Sequence, residues 1–260
     1  IRIKNESVPD KIYKYFPLYN DTHSKFSEEN KLRLDSLENQ NIWASTPKKL
    51  NDPFELKALT LDIKRIERAG WDVKLCEKII NQLSSNILVC CFSNGIRKRI
   101  PLWAHYANNH QGFCIKYGIS DKNQIFPVLY SNQRLISATI VTKLCQAFLD
   151  GYEQRKEPGS DFWHYYRILF LTFCTKSSEW KYEHEYRVFD FNEEEEKPGK
   201  TIPLSSTGLH VEKIFIGMNC AAKYEKELVR IGKLQNCPVY KMGIVENSVY
   251  YSMRPRKMRY

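Results

Sequence analysis

No apolar run in the 260-residue chain reaches the roughly 18 residues that a membrane-spanning helix needs. The opening residues IRIKNESVPDKIY lack the charged-then-apolar order of a secretory signal, and Ile1 in place of Met is read as a missing start. Together these absences predict a chain of the cytoplasm with no membrane partner. The 11 glycines never fall into GxGxxG or GxxxxGK, so neither a Rossmann turn nor a P-loop supplies phosphate binding. The eight cysteines form no CxxC pair and sit mostly in apolar runs such as NILVCCFS, which reads as buried, reduced thiols. A zinc site from Cys90 or Cys91 with His105, His110 and Cys114 is the sharper reading of the same residues. The spacing argues against it, because His105 and His110 are five apart and do not share a helical face, so no metal is expected.

Acidic residues are the scarcer charge, 30 against 40 Lys and Arg, leaving a net charge of +10. The basic residues concentrate at Arg97, Lys98 and Arg99 and in a C-terminal tail, 252–260, with Arg254, Arg256, Lys257 and Arg259. Such clusters suit a polyanionic partner such as nucleic acid. The plainer reading, preferred for the tail, is a solvated and disordered segment. The acidic run Glu193 to Glu196, followed by Lys197-Pro198-Gly199, reads as an exposed turn between strands.

With 42% apolar residues the chain can bury one large core. β-rich apolar runs recur at 11–16, 41–44, 87–93, 112–117, 125–130, 186–191, 211–216, 239–241 and 248–251. Helical periodicity covers 62–83, 135–154 and 161–175. Helices fall irregularly among strands, which predicts an α+β fold with a mixed or split sheet rather than a doubly wound one. The stretch EQRKEPGS at 153–160 is the best loop candidate, but strands on both sides are needed for one sheet, so 1–260 is read as a single domain.

Three constellations can carry chemistry. The first joins the strand Ile12-Tyr13-Lys14-Tyr15-Phe16 to Ile42-Trp43-Ala44-Ser45-Thr46-Pro47 and the turn Asn51-Asp52-Pro53. Tyr13 and Tyr15 share one strand face and Lys14 takes the other. Asn-Asp-Pro is also an ordinary turn signal. The second runs from Cys91-Phe92-Ser93 to a short helix with Trp103, His105, Tyr106 and His110, a set of rings with polar tips suited to a flat ligand. Its plainer reading is a core helix whose His105 caps a carbonyl. The third is KSSEWKYEHEYRV, from Lys176 to Val188. With a strand starting near Tyr182, Glu183, Glu185 and Arg187 share a face, and the arginine keeps one carboxylate charged while its neighbour is biased towards protonation. A surface ion-pair ladder is the structural alternative.

Taken in order, YKY, SxPxxxNDPFE, CFS with WxHYAxxHxGFCI, and KxxxWxYExEYR resemble the bacterial family of domain of unknown function 2971. The likeness spans most of the chain. The resemblance implies genes near mobile elements or antiphage-defence systems and a distant kinship with the ADP-ribosyltransferase fold, including toxins that modify DNA bases. That kinship implies NAD as substrate, lying in the cleft of a split sheet. Lys14 or Tyr15 then stands for the first-strand group, Ser45 and Thr46 for the second, and Glu183-His184-Glu185 for the late motif. Glu185 would stabilise the oxocarbenium-like sugar as nicotinamide leaves, and Glu183 would orient or deprotonate the acceptor. Trp103 or Tyr106 would stack on nicotinamide and His105 would reach the pyrophosphate. Asn51, Asp52, Ser93, His110 and Arg187 are counted with the same cleft.

The implied activity is transfer of ADP-ribose to a macromolecule, with nucleic acid and an antitoxin or defence protein as expected partners; hydrolysis of NAD shares the same first step. Two readings compete. One is a metal-independent nuclease using His105 or His110 as general acid or base and Lys14 or Arg187 on the phosphate. The other is a non-catalytic nucleic-acid or partner-binding module.

Overall fold

The structure is a computed structural model that describes residues 2–20, 24–96, 99–153, 157–192 and 197–259, with residues 2 and 3 as backbone only. Arg97, Lys98, the run Glu193 to Glu196 and Gln154 to Lys156 of the expected loop lie outside the described residues.

In chain order the elements are α1 (Arg2–Ser7), β1 (Lys11–Phe16), α2 (Ser24–Glu38), β2 (Asn41–Ser45), β3 (Leu59–Leu61), α3 (Ile63–Arg68), α4 (Val73–Ser85), β4 (Ile87–Ser93) and α5 (Ile100–Tyr106). There follow β5 (Phe113–Ile119), β6 (Phe126–Pro127), β7 (Leu129–Ser131), β8 (Leu135–Ser137), α6 (Thr139–Glu153), α7 (Ser160–Phe173), β9 (Thr175–Ser177) and β10 (Glu185–Phe191). The chain ends with β11 (Gly199–Pro203), β12 (Leu209–Ile216), α8 (Ala222–Leu234), β13 (Val239–Ile244) and β14 (Met253–Lys257). No helix among the described residues is long and apolar enough to cross a membrane.

Ten strands form one mixed sheet whose main path runs β11-β2-β4-β1-β5-β12-β13-β14, with β10 paired to β4 and β6 paired to β10. The β12–β13 pair is parallel and its neighbours are antiparallel. One irregularity positions everything that follows. β10 pairs with β4 along its whole length, from Glu185↔Ser93 to Phe191↔Ile87. The other edge of β4 is shared: β2 touches it through Ser45↔Val89 and β1 through Tyr13↔Ser93. Between those two registers β1 and β2 part from β4 and the sheet opens.

One face of the sheet is covered by α2 and α8, whose Leu34, Leu37, Leu228 and Ile231 pack on Ile12, Ile115, Ile214 and Val239. On the other face α3, α4, α6 and α7 cover the β4 side through Ile66, Cys76, Ile79, Leu144, Leu169 and Phe173. α5 covers the middle, where Trp103 and Leu102 pack on Tyr15 and Cys114.

Several expectations need correction. The helix expected over 62–83 is two helices, because Gly70 takes a left-handed conformation (φ 77°) and Asp72 caps a new start by accepting from the Lys74 and Leu75 amides. The first residues of 135–154 form β8, and the Ser137 hydroxyl accepts from the Ile140 amide to open α6. The strand expected at 248–251 is absent: Val249 and Tyr251 are exposed, and the strand is β14 instead. The tail is therefore ordered over Met253–Lys257, paired with β13 from Ile244↔Met253 to Tyr240↔Lys257. α2 and α8 were not expected at all.

Candidate active site in the opening of the sheet

The opening between β1 and β2 holds a cavity of about 560 Å³, a size suited to a nucleotide-scale ligand. Its walls come from both sides of the sheet: Lys14, Phe16 and Phe92 from one, Val89, Cys91 and Ser93 from the other, with Leu32 and Arg33 of α2 closing one end. β4 has no strand partner at Cys91 on this edge. The Lys14 ammonium reaches across instead and donates to the Cys91 carbonyl at 3.1 Å, lying over the Phe92 ring at 5.6 Å.

The floor is a charged network. After α7 the chain enters β9, which runs parallel to β7 with Tyr130↔Lys176 in register. Ser177 then caps a short 3-10 turn, Ser178–Glu183, and His184 takes a left-handed conformation (φ 45°) before β10 begins at Glu185. The strand therefore does not start near Tyr182, and Glu183 does not share a strand face with Glu185. The left-handed His184 nonetheless brings the two glutamates to one cation. Lys176 Nζ lies 2.7 Å from Glu183 Oε2 and 2.9 Å from Glu185 Oε2. Arg187 Nε donates to Glu185 Oε1 at 2.8 Å, and its Nη1 lies 2.6 Å from Glu55 Oε1. The Tyr106 hydroxyl donates to Glu183 Oε1, and the Ser93 hydroxyl to the Glu183 carbonyl at 2.7 Å. The Glu185 amide donates to the Tyr130 hydroxyl at 2.8 Å.

Glu183 is 5% and Glu185 3% exposed, so the surface-ladder alternative is excluded. Burial alone would raise the Glu185 carboxyl, but Arg187 and Lys176 outweigh it and hold it down at about 2. Burial raises Glu183, against Lys176 and the Tyr106 hydrogen bond, with Glu185 adding to the rise. Burial likewise raises Glu55 against Arg187. Lys176 is raised because the two glutamates overcome its own burial. Three carboxylates face two cations, so the cluster carries one negative charge in excess when all are ionised, and Glu183 and Glu55 are the two carboxyls raised towards protonation. The expected split between a charged and a proton-biased carboxylate is what this geometry produces.

Of the residues singled out in the sequence, Glu183, Glu185, Lys14, Tyr15, Ser45, Asn51, Ser93 and Tyr106 line the cavity. Others do not. Trp103 is fully buried, edge-on to Tyr15 at 5.2 Å, so it cannot stack on a ligand. His105 is exposed on the outer side of α5, near Tyr182 rather than the cavity. His110 stands in a run of left-handed residues, Asn108 to His110, that ends α5, and its ring stacks on Trp103. Asp52 is spent within its own turn, accepting from the Phe54 amide at 2.8 Å. Thr46 faces the Pro198 carbonyl. Arg187 is fully buried behind Glu185, supporting the wall without being part of it. Lys176 and Glu55 were given no role, although both stand within the quoted motifs; the signal was charge balance, since two glutamates and one arginine leave a buried cluster short of a cation. Among the described residues no group of three or more His, Cys, Asp or Glu is arranged to hold a metal.

No curated protein and no solved structure matches the chain. Residues 102–188 match the model of a family described as a protein of unknown function, DUF2971. That segment runs from α5 to β10 and contains Tyr106, Lys176, Glu183, Glu185 and Arg187, much of the floor just described. Over that segment the chain is similar to the DUF2971 family.

Proposed function

We propose that the chain is an ADP-ribosyltransferase-like enzyme that takes NAD as substrate and passes ADP-ribose to a macromolecular acceptor. One observation carries the reading: a carboxylate held ionised, Glu185, and a proton-biased one, Glu183, meet in a cavity where the sheet splits. Glu185 supplies fixed negative charge where positive charge develops on the nicotinamide ribose, and Lys176 and Arg187 hold it in place beforehand. Glu183, raised towards neutrality and hydrogen-bonded to Tyr106, suits proton exchange with the acceptor. Of the two first-strand candidates Lys14 fits the phosphates better. Its ammonium keeps donors beyond the one given to Cys91, whereas the Tyr15 hydroxyl is committed to the Gly95 carbonyl at 3.0 Å. Tyr106, Phe16 and Trp43 are rings on the cavity wall available to a flat base.

The nuclease reading is less favoured, since His105 and His110 stand apart from the cavity and Arg187 is sealed against carboxylates. Incubation with NAD, followed by chromatography for nicotinamide, tests the proposal. Release by the wild-type chain and its loss in Glu185→Gln is the expected result. Cleavage of labelled RNA or DNA without NAD, with no nicotinamide formed, would transfer the assignment to the nuclease.

A further inference from the structure

Beside the first cavity the sheet carries a second hollow, of about 670 Å³, that the proposed chemistry does not use. It lies on the face turned away from α8. The registers Tyr13↔Lys116↔Lys213 and Phe215↔Tyr240↔Lys257 place these six side chains on that face in two adjacent rows. Lys11, two residues before Tyr13, joins them. The rings form a continuous ledge: Tyr13 to Phe215 at 6.3 Å, then Phe215 to Tyr240, near parallel, at 5.5 Å. Phe215 is the buried middle, while Tyr13 and Tyr240 keep part of their surface open. Lys213 lies over the Tyr240 ring at 5.4 Å. Four lysines thus surround the ledge, and the carboxylate among them, Glu212, is ion-paired to Lys116.

We infer that this face binds single-stranded nucleic acid, with bases on the Tyr13–Phe215–Tyr240 ledge and phosphates on Lys11, Lys213 and Lys257. Charge complementarity requires a polyanion, and the ledge selects among polyanions. Partly open rings are satisfied by unstacked bases, which a single strand offers and a duplex does not. An acidic peptide would match the lysines and leave the rings without a flat partner. Tyr13 borders both hollows, so a strand on the ledge ends at the mouth of the Glu183–Glu185 cavity. That this strand is the ADP-ribose acceptor rests on the transferase reading; the binding does not.

Fluorescence anisotropy with labelled 12-nucleotide oligo-dT and oligo-U, a hairpin duplex and poly-glutamate, all without NAD, tests the inference. The single strands are expected to bind, at least tenfold tighter than the hairpin or poly-glutamate. Tyr240→Leu should weaken them about tenfold. Lys213→Gln and Lys257→Gln should each flatten the slope of log affinity against log salt by about 0.7. Thermal melts identify any variant that fails to fold; the exposed Lys257 is the variant least exposed to that failure. Equal or tighter binding of duplex or poly-glutamate, or single-strand binding that these variants leave unchanged, overturns the inference. So does its absence at 50 mM salt. NAD titration of the same variants separates the two claims: nicotinamide release without oligonucleotide binding sinks only this one, and the reverse sinks only the transferase.

Discussion

Lys176 is the residue on which the site turns, because its ammonium bridges the carboxylates of Glu183 and Glu185. Glu185→Gln keeps shape and one acceptor oxygen but removes the charge opposite Lys176 and Arg187. Breaking a buried pair in this way is expected to cost about 3 kcal/mol, which denaturant unfolding reads, and nicotinamide release should fall on the order of 100-fold. A variant that releases nicotinamide at the wild-type rate would remove Glu185 from the mechanism. Tyr106→Phe is the gentler probe. The Tyr106 hydroxyl lowers the Glu183 carboxyl that burial has raised, so its loss should move the acid limb of the pH–rate profile to higher pH. The cost in stability should be about 1 kcal/mol. An unmoved limb would mean that Glu183 does not set it. Of this network the sequence displayed the glutamates, the arginine and the sign of their mutual influence. It did not display the pairing, since Glu55 comes from a distant turn after Asp52 and the bend at His184 that brings both glutamates to the nearby Lys176 leaves no mark in the spacing.

Elements follow the same division. β1 and β4 were legible to the residue because each is a run of β-branched, aromatic or other apolar residues with at most one charged interruption, and α7 nearly so. α2 was not, since its sequence SKFSEENKLRLDSLE buries only Asn30, Leu34 and Leu37 and presents little apolar stripe. α8 did carry a signal, with Leu228 and Ile231 on one face, but Gly232 interrupts it. That glycine is there for contact: a Cβ would stand 2.3 Å from Val239 Cγ2 and 2.9 Å from the Cys237 carbonyl. Gly232→Ala should therefore destabilise by about 1–3 kcal/mol, overpacking outweighing the gain in helix propensity. Urea unfolding that shows a more stable variant would contradict this packing. The opening between β1 and β2 was legible only through the family resemblance, because a parting of strands leaves no mark on either strand's own pattern.

At the scale of the molecule, the buried network predicts how stability responds to pH. The Glu185 carboxyl is lowered from 4.5 to about 2 on folding, so its stabilisation is present above 4.5 and lost as pH falls through about 2. Glu183 and Glu55 are raised from 4.5, so their contribution is present in acid and lost as pH rises above that value. The network's contribution should therefore peak in mildly acidic solution, and Glu185→Gln should erase the acid side alone; melting temperatures from pH 2 to 8 would show it. The sheet thus joins two surfaces of different chemistry, a cavity built around paired carboxylates and a basic aromatic ledge, through the single strand β1. The most direct measurement is calorimetric titration of NAD into the folded wild-type chain and into Lys14→Glu. The account predicts one-site binding by the wild type and its loss in the variant. A wild-type protein that takes up no NAD at millimolar concentration would contradict it.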